Sequence, residues 1–210
     1  MRRPRTLQLW LIAIAGVALA SGPALAQTDR ELCAKATGDA AIAACDKAIA
    51  ANPKDADSFS NRGFTWSVKG DQDKAIADFN EALKLNPKHA RALSNRGMAW
   101  NRKGDPDRAI ADSTEAIKLN KRYAKAYNNR GVALIRKKEY DKAIADLNEA
   151  IKLNPKDGSA YFNRGNALEM KGSLSDALAD FRAFVKLSPK DGDGPAAIAR
   201  LEQRIKGAGR

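Results

Sequence analysis

The sequence predicts an all-α fold, an α-solenoid of stacked helix-turn-helix units that ends in a capping helix. Two markers, the triplet Asn-Arg-Gly and the segment Ala-Ile/Leu-Ala-Asp, each recur every 34 residues. A period of this length is typical of solenoids, whose units bury their apolar faces only by stacking. Apolar residues recur at helical spacing, and no segment alternates with the two-residue period of a strand.

Composition limits the classes of function. The 210 residues include 37 Lys and Arg against 25 Asp and Glu, a formal charge of +12 with a pI near 9.8. This basic excess suggests nucleic acid, acidic lipid or acidic protein partners. An apolar content of 44% argues against wholesale disorder, and only 6% of residues are aromatic, which favours closely packed helices. With one histidine and two cysteines, the chain has few metal ligands or nucleophiles, so we expect no enzyme, cofactor or metal site.

Residues 1–26 are predicted to be a secretory signal peptide. Arginines near the start are followed by the apolar stretch Leu7 to Ala20 and an Ala-x-Ala ending, with cleavage expected after Ala26. The apolar stretch is short for a membrane span, so an uncleaved anchor is the weaker alternative. Losing three arginines and no acids leaves 34 minus 25, about +9. We therefore expect an exported protein, most simply in the periplasm.

Four full repeats are predicted, at residues 56–89, 90–123, 124–157 and 158–191. The two markers begin at Asn61, Asn95, Asn129 and Asn163, and at Ala75, Ala109, Ala143 and Ala177. In the first repeat, one helix is predicted from Asp57 to Lys69. Gly70 and Asp71 then suit a helix end and the cap of the next helix, which continues to about Leu85.

This pattern resembles the tetratricopeptide repeat (TPR) family over nearly all of residues 28–191. The family's large residue four before the glycine is Phe59, Leu93, Tyr127 and Tyr161, and its large residue three after is Trp66, Trp100, Leu134 and Leu168. The leucine usual before the glycine is arginine in every copy. The resemblance implies a right-handed α-solenoid whose first helices line a concave groove.

The two ends depart from the full repeat. Residues 28–55 keep the register but lack two residues after Gly38, which predicts a shortened hairpin. Export makes a disulfide between Cys33 and Cys45 the default, with two buried thiols as the alternative; the resemblance places both inside the hairpin. Residues 194–207 are predicted to form the capping helix, with an interfacial membrane helix as a weak second interpretation.

Part of the basic excess is explained by the repeat. Each arginine of the triplet is followed sixteen residues later by an aspartate, and we interpret these four as solvated ion pairs worth little individually. A lysine also recurs in the last turn of each second helix, where the helix dipole favours a cation. These lysines are Lys84, Lys118, Lys152 and Lys186.

The resemblance places function in the groove. One asparagine per repeat is expected there: Asn61, Asn95, Asn129 and Asn163. An amide both donates and accepts hydrogen bonds, so such a row can pair with the backbone of an extended peptide. The alternative is that asparagine merely suits an exposed helix face.

The two central repeats add positive charge to the same face. Arg91, Lys125, Arg102 and Arg136 are predicted to lie there, and Met98 is predicted near the groove floor. Arg91, Asn95, Lys125 and Asn129 resemble part of a TPR clamp for a C-terminal carboxylate. The predicted partner is therefore an acidic peptide or a protein C-terminus, bound by a chain that is a monomer or weakly self-associating.

Two other classes of function compete with peptide binding. Nucleic acid is disfavoured, since export removes the usual ligand and the aromatic residues occupy core positions. The stronger alternative is a structural scaffold, in which the open ends of the solenoid assemble into an envelope complex.

Overall fold

A computed structural model describes the backbone of residues 23–208 and the side chains of residues 28–207. Every regular element in this part of the chain is an α-helix. The helices are α1 Pro23–Lys35, α2 Gly38–Ala51, α3 Ala56–Val68, α4 Gln72–Leu85, α5 Ala90–Lys103, α6 Pro106–Leu119, α7 Ala124–Arg136, α8 Tyr140–Leu153, α9 Gly158–Lys171, α10 Leu174–Leu187 and α11 Asp193–Ala208. The predicted all-α solenoid is confirmed, whereas residues 1–22 of the predicted signal peptide lie outside the described residues. Helix α1 runs through the predicted cleavage point after Ala26.

The helices pack as a series of hairpins. Each first helix (α1, α3, α5, α7, α9) packs against the second helix that follows it, and also against the first helices of neighbouring repeats. The close approach within a hairpin depends on glycine: a Cβ on Gly131 would lie 2.8 Å from Cγ of Leu147, and one on Gly165 would lie 2.9 Å from Cε1 of Phe181. Most of the buried hydrophobic residues are alanines. The repeats are therefore thin and tightly stacked.

The turns inside the hairpins largely follow the expected chemistry. Gly70, Gly104 and Gly172 adopt left-handed backbone conformations, with φ between 82° and 94°. The third repeat places Lys138 at this position with φ 63°, a conformation that costs a non-glycine residue some stability. Asp71 caps α4 by accepting a hydrogen bond from the Lys74 amide.

The four Arg–Asp pairs are not solvated, and that interpretation was wrong. Their aspartates are buried, and each arginine donates from Nε and Nη2 to both carboxylate oxygens at 2.7–2.9 Å. The pairs are Arg62–Asp78, Arg96–Asp112, Arg130–Asp146 and Arg164–Asp180. The spacing indicated proximity, but it could not show that the preceding repeat covers the pair.

Each of these arginines also links two repeats. Nη1 reaches the second helix of the repeat before, donating to Asp46, Asn80, Thr114 and Asn148 in turn. The bond of Arg130 to Asp146 is the main cause that raises its pKa above the ordinary arginine value. A second ladder crosses the same boundaries through Lys69–Asp39, Lys103–Asp73, Lys137–Asp107 and Lys171–Asp141. Polar contacts thus hold neighbouring repeats in register.

A disulfide between Cys33 and Cys45 closes the shortened hairpin. Both residues are buried, and with Ala44 they form the small core between α1 and α2. The expectation of a bonded pair is confirmed.

At the other end, α11 packs on α10. Leu201 is fully buried against a cluster that includes Phe181. Glu169 of α9 accepts hydrogen bonds from Arg200 and Arg204 of α11, and its pKa is lowered chiefly by the bond from Arg200. The helix therefore covers the apolar end of the fourth repeat and is tied to α9 by charge.

Candidate functional site

One stripe on each first helix of the four full repeats points away from the second helices. On α7, Gly131 and Leu134 face α8, while Lys125, Asn129, Val132 and Arg136 follow the spacing i, i+4, i+7, i+11 on the opposite side. We call the stripes together the inner face. Its members are Asp57, Asn61, Phe64, Val68, Arg91, Asn95, Met98, Arg102, Lys125, Asn129, Val132, Arg136, Ser159, Asn163, Asn166 and Met170. All are half-buried or exposed, and all nine residues predicted to bind a peptide are among them.

The row of asparagines is half-buried, and the protein itself uses two of its amide groups. Asn129 Nδ2 donates to the carbonyl oxygen of Ser94 at 2.9 Å, and Asn163 Nδ2 donates to Asn128 Oδ1 at 3.0 Å. Within the described residues, the side chains of Asn61 and Asn95 have no hydrogen bond. Only the N-terminal half of the row is therefore available with both donor and acceptor.

Arg91 is already paired. Its Nη2 lies 3.2 Å from Asp57 Oδ1, and the same carboxylate is approached by Arg30 and by His89 Nε2, each at 3.2 Å. Burial lowers the pKa of His89 and outweighs the opposite effect of Asp57, so the imidazole is neutral near pH 7. Because two cations share one carboxylate, Arg91 has less capacity for a ligand than its sequence position implied.

Arg102 crosses to the preceding repeat. Its Nη1 donates to the carbonyl oxygen of Ser67 at 2.7 Å and to Ser67 Oγ at 2.9 Å. The guanidinium remains solvent-exposed and keeps its charge, since neither acceptor is ionised. This bond brings a cation next to Val68, the neighbour of Ser67 in the chain.

Lys125 and Arg136 differ from the other cations on these helices. Both are exposed, and within residues 28–207 neither side chain has an ion pair or a hydrogen bond. Helices α3, α5, α7 and α9 carry only two carboxylates, Asp57 and Glu169. Each is neutralised by two arginines. The centre of the inner face is consequently positive, with no acidic side chain on its own helices to balance it.

Five of the remaining positions of the inner face hold apolar side chains. Met98 and Val132 are half-buried between the cations, whereas Phe64, Val68 and Met170 expose 43%, 64% and 64% of their surfaces. Phe64 and Val68 were not predicted as site residues. In the first full repeat they stand at the positions that Met98 and Arg102 occupy in the second, so the repeat register alone could have identified them.

Two kinds of feature, metal-binding clusters and membrane-spanning helices, are absent from the described part of the chain. No cluster of His, Cys, Asp or Glu within it could hold a metal ion. None of its helices combines the length and apolarity needed to cross a bilayer.

Comparison with known proteins agrees with this architecture. Family models described as tetratricopeptide repeat match residues 56–89, 124–157 and 147–179. No curated protein matches the chain.

Among solved structures, MamA is similar at 30% identity and a TM-score of 0.60, with 72% of this chain and 89% of that chain covered. The Arabidopsis OM64 TPR domain gives 31% identity and a TM-score of 0.53, covering 54% and 94%. The Thermus thermophilus TPR protein TTC0263 shares the fold, with a TM-score of 0.69 at 23% identity and 86% and 98% covered. With its repeats, its stacked hairpins and these similarities, the chain belongs to the tetratricopeptide repeat family and is a protein-interaction module.

Proposed function

We propose that the inner face binds an extended acidic segment, or an acidic C-terminus, of a protein partner in the cell envelope. The observation that carries the proposal is the pair of exposed cations Lys125 and Arg136 on α7, which have no partner among the side chains of residues 28–207. An acidic ligand would gain charge-assisted hydrogen bonds at both residues, each worth roughly 0.2–1 kcal/mol at an exposed position. The ligand could form these hydrogen bonds without breaking an ion pair among the described residues.

The amides next to these cations suit the backbone of an extended ligand. Asn95 offers both a donor and an acceptor, and Asn129 keeps its side-chain oxygen even though its nitrogen donates to Ser94. Such contacts depend little on ligand sequence. Selectivity would come from the charges and from the apolar side chains among them.

The envelope location is part of the proposal. It is supported by the charged, apolar and Ala-x-Ala pattern of residues 1–26 and by the disulfide, since disulfides persist in oxidising compartments. N-terminal sequencing of the protein recovered from the periplasm should begin at Gln27; recovery of a chain that retains residues 1–26 would contradict cleavage.

Charge reversal of α7 tests the binding proposal. The double variant Lys125→Glu/Arg136→Glu should bind a dye-labelled glutamate-rich peptide more than about tenfold more weakly than the unmodified protein, because attraction becomes repulsion. Fluorescence anisotropy at two salt concentrations measures this. Arg91 is less informative as a test position because Asp57 already holds it.

A matched control carries the same change of net charge away from the inner face. Lys47→Glu/Lys190→Glu alters exposed lysines of α2 and of the loop after α10. This control should keep most of the peptide affinity. If both double variants lose the same amount of peptide affinity, the protein attracts polyanions in general and the inner face is not a specific site. The same conclusion would follow if Lys125→Glu/Arg136→Glu weakened binding of double-stranded DNA as much as binding of the peptide.

A further inference from the structure

A cavity lies at the N-terminal end of the inner face. It has a volume of about 290 Å³ and is bounded by the last turn of α1, the loop that leads into α2 and one side of α3. We call it the N-terminal cavity. Its lining residues from α3 are Asn61, Phe64, Thr65 and Val68.

The wall opposite α3 is fixed by the disulfide. Cys33 lines the N-terminal cavity together with Ala34, Ala36 and Thr37, and its bond to Cys45 ties this end of α1 to α2. Phe64 and Val68 expose 43% and 64% of their surfaces at the cavity, so two large apolar side chains face solvent together. Covering them would remove apolar surface from water, which is favourable at roughly 25 cal/mol per Å².

The size of the cavity favours a side chain over a whole small molecule. Ligand sites for small molecules usually enclose about 300–1,000 Å³. At about 290 Å³ the N-terminal cavity falls at the bottom of that range and opens onto a longer surface. It is therefore suited to one large residue of a chain that continues along the inner face.

Charge indicates what that chain contains. Arg102 is held against Ser67, beside Val68, so an exposed guanidinium borders the apolar surface. The next stripe along adds the unpaired Lys125 and Arg136. A second copy of this protein is disfavoured as the occupant, because the chain carries a formal charge of +12, or about +9 without residues 1–26, and two positive surfaces would be brought together.

We infer that the N-terminal cavity receives a leucine, phenylalanine or similar side chain of the bound segment, whose acidic residues lie on Arg102 and the α7 cations. The inference rests on the proposed function and specifies its ligand: an acidic segment with one large apolar residue beside the acids. An extended chain advances about 3.3 Å per residue with alternate side chains on one side. Because Arg102 contacts the neighbour of Val68, the first acid should follow within about two to four residues.

Paired peptides test this inference. The probes are dye-labelled peptides of about ten residues with a run of glutamates and either a leucine or an alanine near one end, made with that residue at each end in turn. In one orientation, the leucine peptide should bind the unmodified protein about tenfold more tightly than its alanine partner, because a leucine side chain leaves water. Val68→Ser should abolish this advantage and leave the alanine peptide unaffected.

Met170 provides the matched control. It exposes 64% of its surface, as Val68 does, and occupies the equivalent position in the fourth repeat, away from the cavity. Met170→Ser should keep the leucine advantage in full.

The outcomes separate the two proposals. Charge-dependent binding of both peptides with no leucine advantage would overturn the cavity inference and leave the proposed function standing. Loss of the leucine advantage in Met170→Ser would also overturn the cavity inference. So would a Val68→Ser variant that self-associates less by light scattering and binds both peptides as before, because the cavity would then belong to a contact with a second copy. If neither peptide binds, the proposed function fails and the inference fails with it.

Discussion

Replacing Asp146 with alanine is expected to lower the free energy of unfolding by about 2–3 kcal/mol. The carboxylate accepts two hydrogen bonds from Arg130 and is buried, so its removal leaves a guanidinium that is mostly shielded from water. The effect should fall slightly below that of a fully buried pair, because 23% of the Arg130 side chain is exposed. Urea unfolding followed by circular dichroism measures the change.

The loss of stability in Asp146→Ala should extend beyond one hairpin, because the Arg130–Asp146 pair lies at a boundary between repeats. Arg130 also donates to Thr114 of the preceding repeat, so the variant weakens a boundary between repeats. Solenoid stability is approximately a sum of repeat terms and nearest-neighbour interface terms. We therefore expect the central repeats to unfold at a lower urea concentration together.

Two variants make the interpretation specific. Lys142→Ala removes an exposed ion pair with Glu139, the N-cap residue of the same helix, and should change stability by less than about 0.5 kcal/mol. Arg130→Leu/Asp146→Ala should recover most of the loss, since the leucine would lie near Ile110 and Leu134, which line the same surface cavity as Arg130. If the stability losses of Arg130→Leu and Asp146→Ala, measured singly, simply add in the double variant, the two side chains are not coupled as described.

Reduction of the disulfide is the second large effect we expect. Cys33 and Cys45 are 12 residues apart, and closing a loop of this length stabilises a fold by about 3 kcal/mol in the chain-entropy description. The loss should be concentrated in α1 and α2, because the core between these two helices is small. Hydrogen exchange of residues 28–51, with and without reductant, measures it.

The variant Cys33→Ala/Cys45→Ala separates the covalent bond from packing. Alanine keeps the site apolar while removing the cross-link, so the variant should match the reduced protein and no longer respond to reductant. Exchange in α7 and α8 serves as the internal control and should stay unchanged. Uniform protection of residues 28–51 in both redox states would show that packing alone holds the hairpin.

Much of the fold was predictable because its information is local and repeated. The glycine of the Asn-Arg-Gly triplet recurs where the two helices of a hairpin are too close to leave room for a Cβ atom, as at Gly131 against Leu147. The Gly70 turn and the Asp71 cap follow from backbone geometry and from one side-chain acceptor. Four copies of the same pattern also reduce the chance that any single assignment is accidental.

The candidate site was predictable only as a set of positions. Helical spacing places Arg91, Lys125 and Asn129 on one face, and the structure has them there. Helical spacing could not show that Asp57 forms an ion pair with Arg91 or that Ser94 accepts a hydrogen bond from the amide of Asn129, since these contacts join residues about one repeat apart. As a result, the binding prediction now rests mainly on Lys125 and Arg136.

The sequence by itself determined the all-α solenoid, the repeat length and the identity of the face on which the cations lie, because periodicity and turn chemistry depend on residues close together in the chain. Only the tertiary structure decided which charges stay available and where an apolar cavity opens. Arg62 and its equivalents are half-buried and paired between repeats, whereas Lys125 and Arg136 remain exposed, although all of them lie on first helices. The physical reason is that burial and pairing depend on what the neighbouring repeat presents, and that is settled only when the repeats stack.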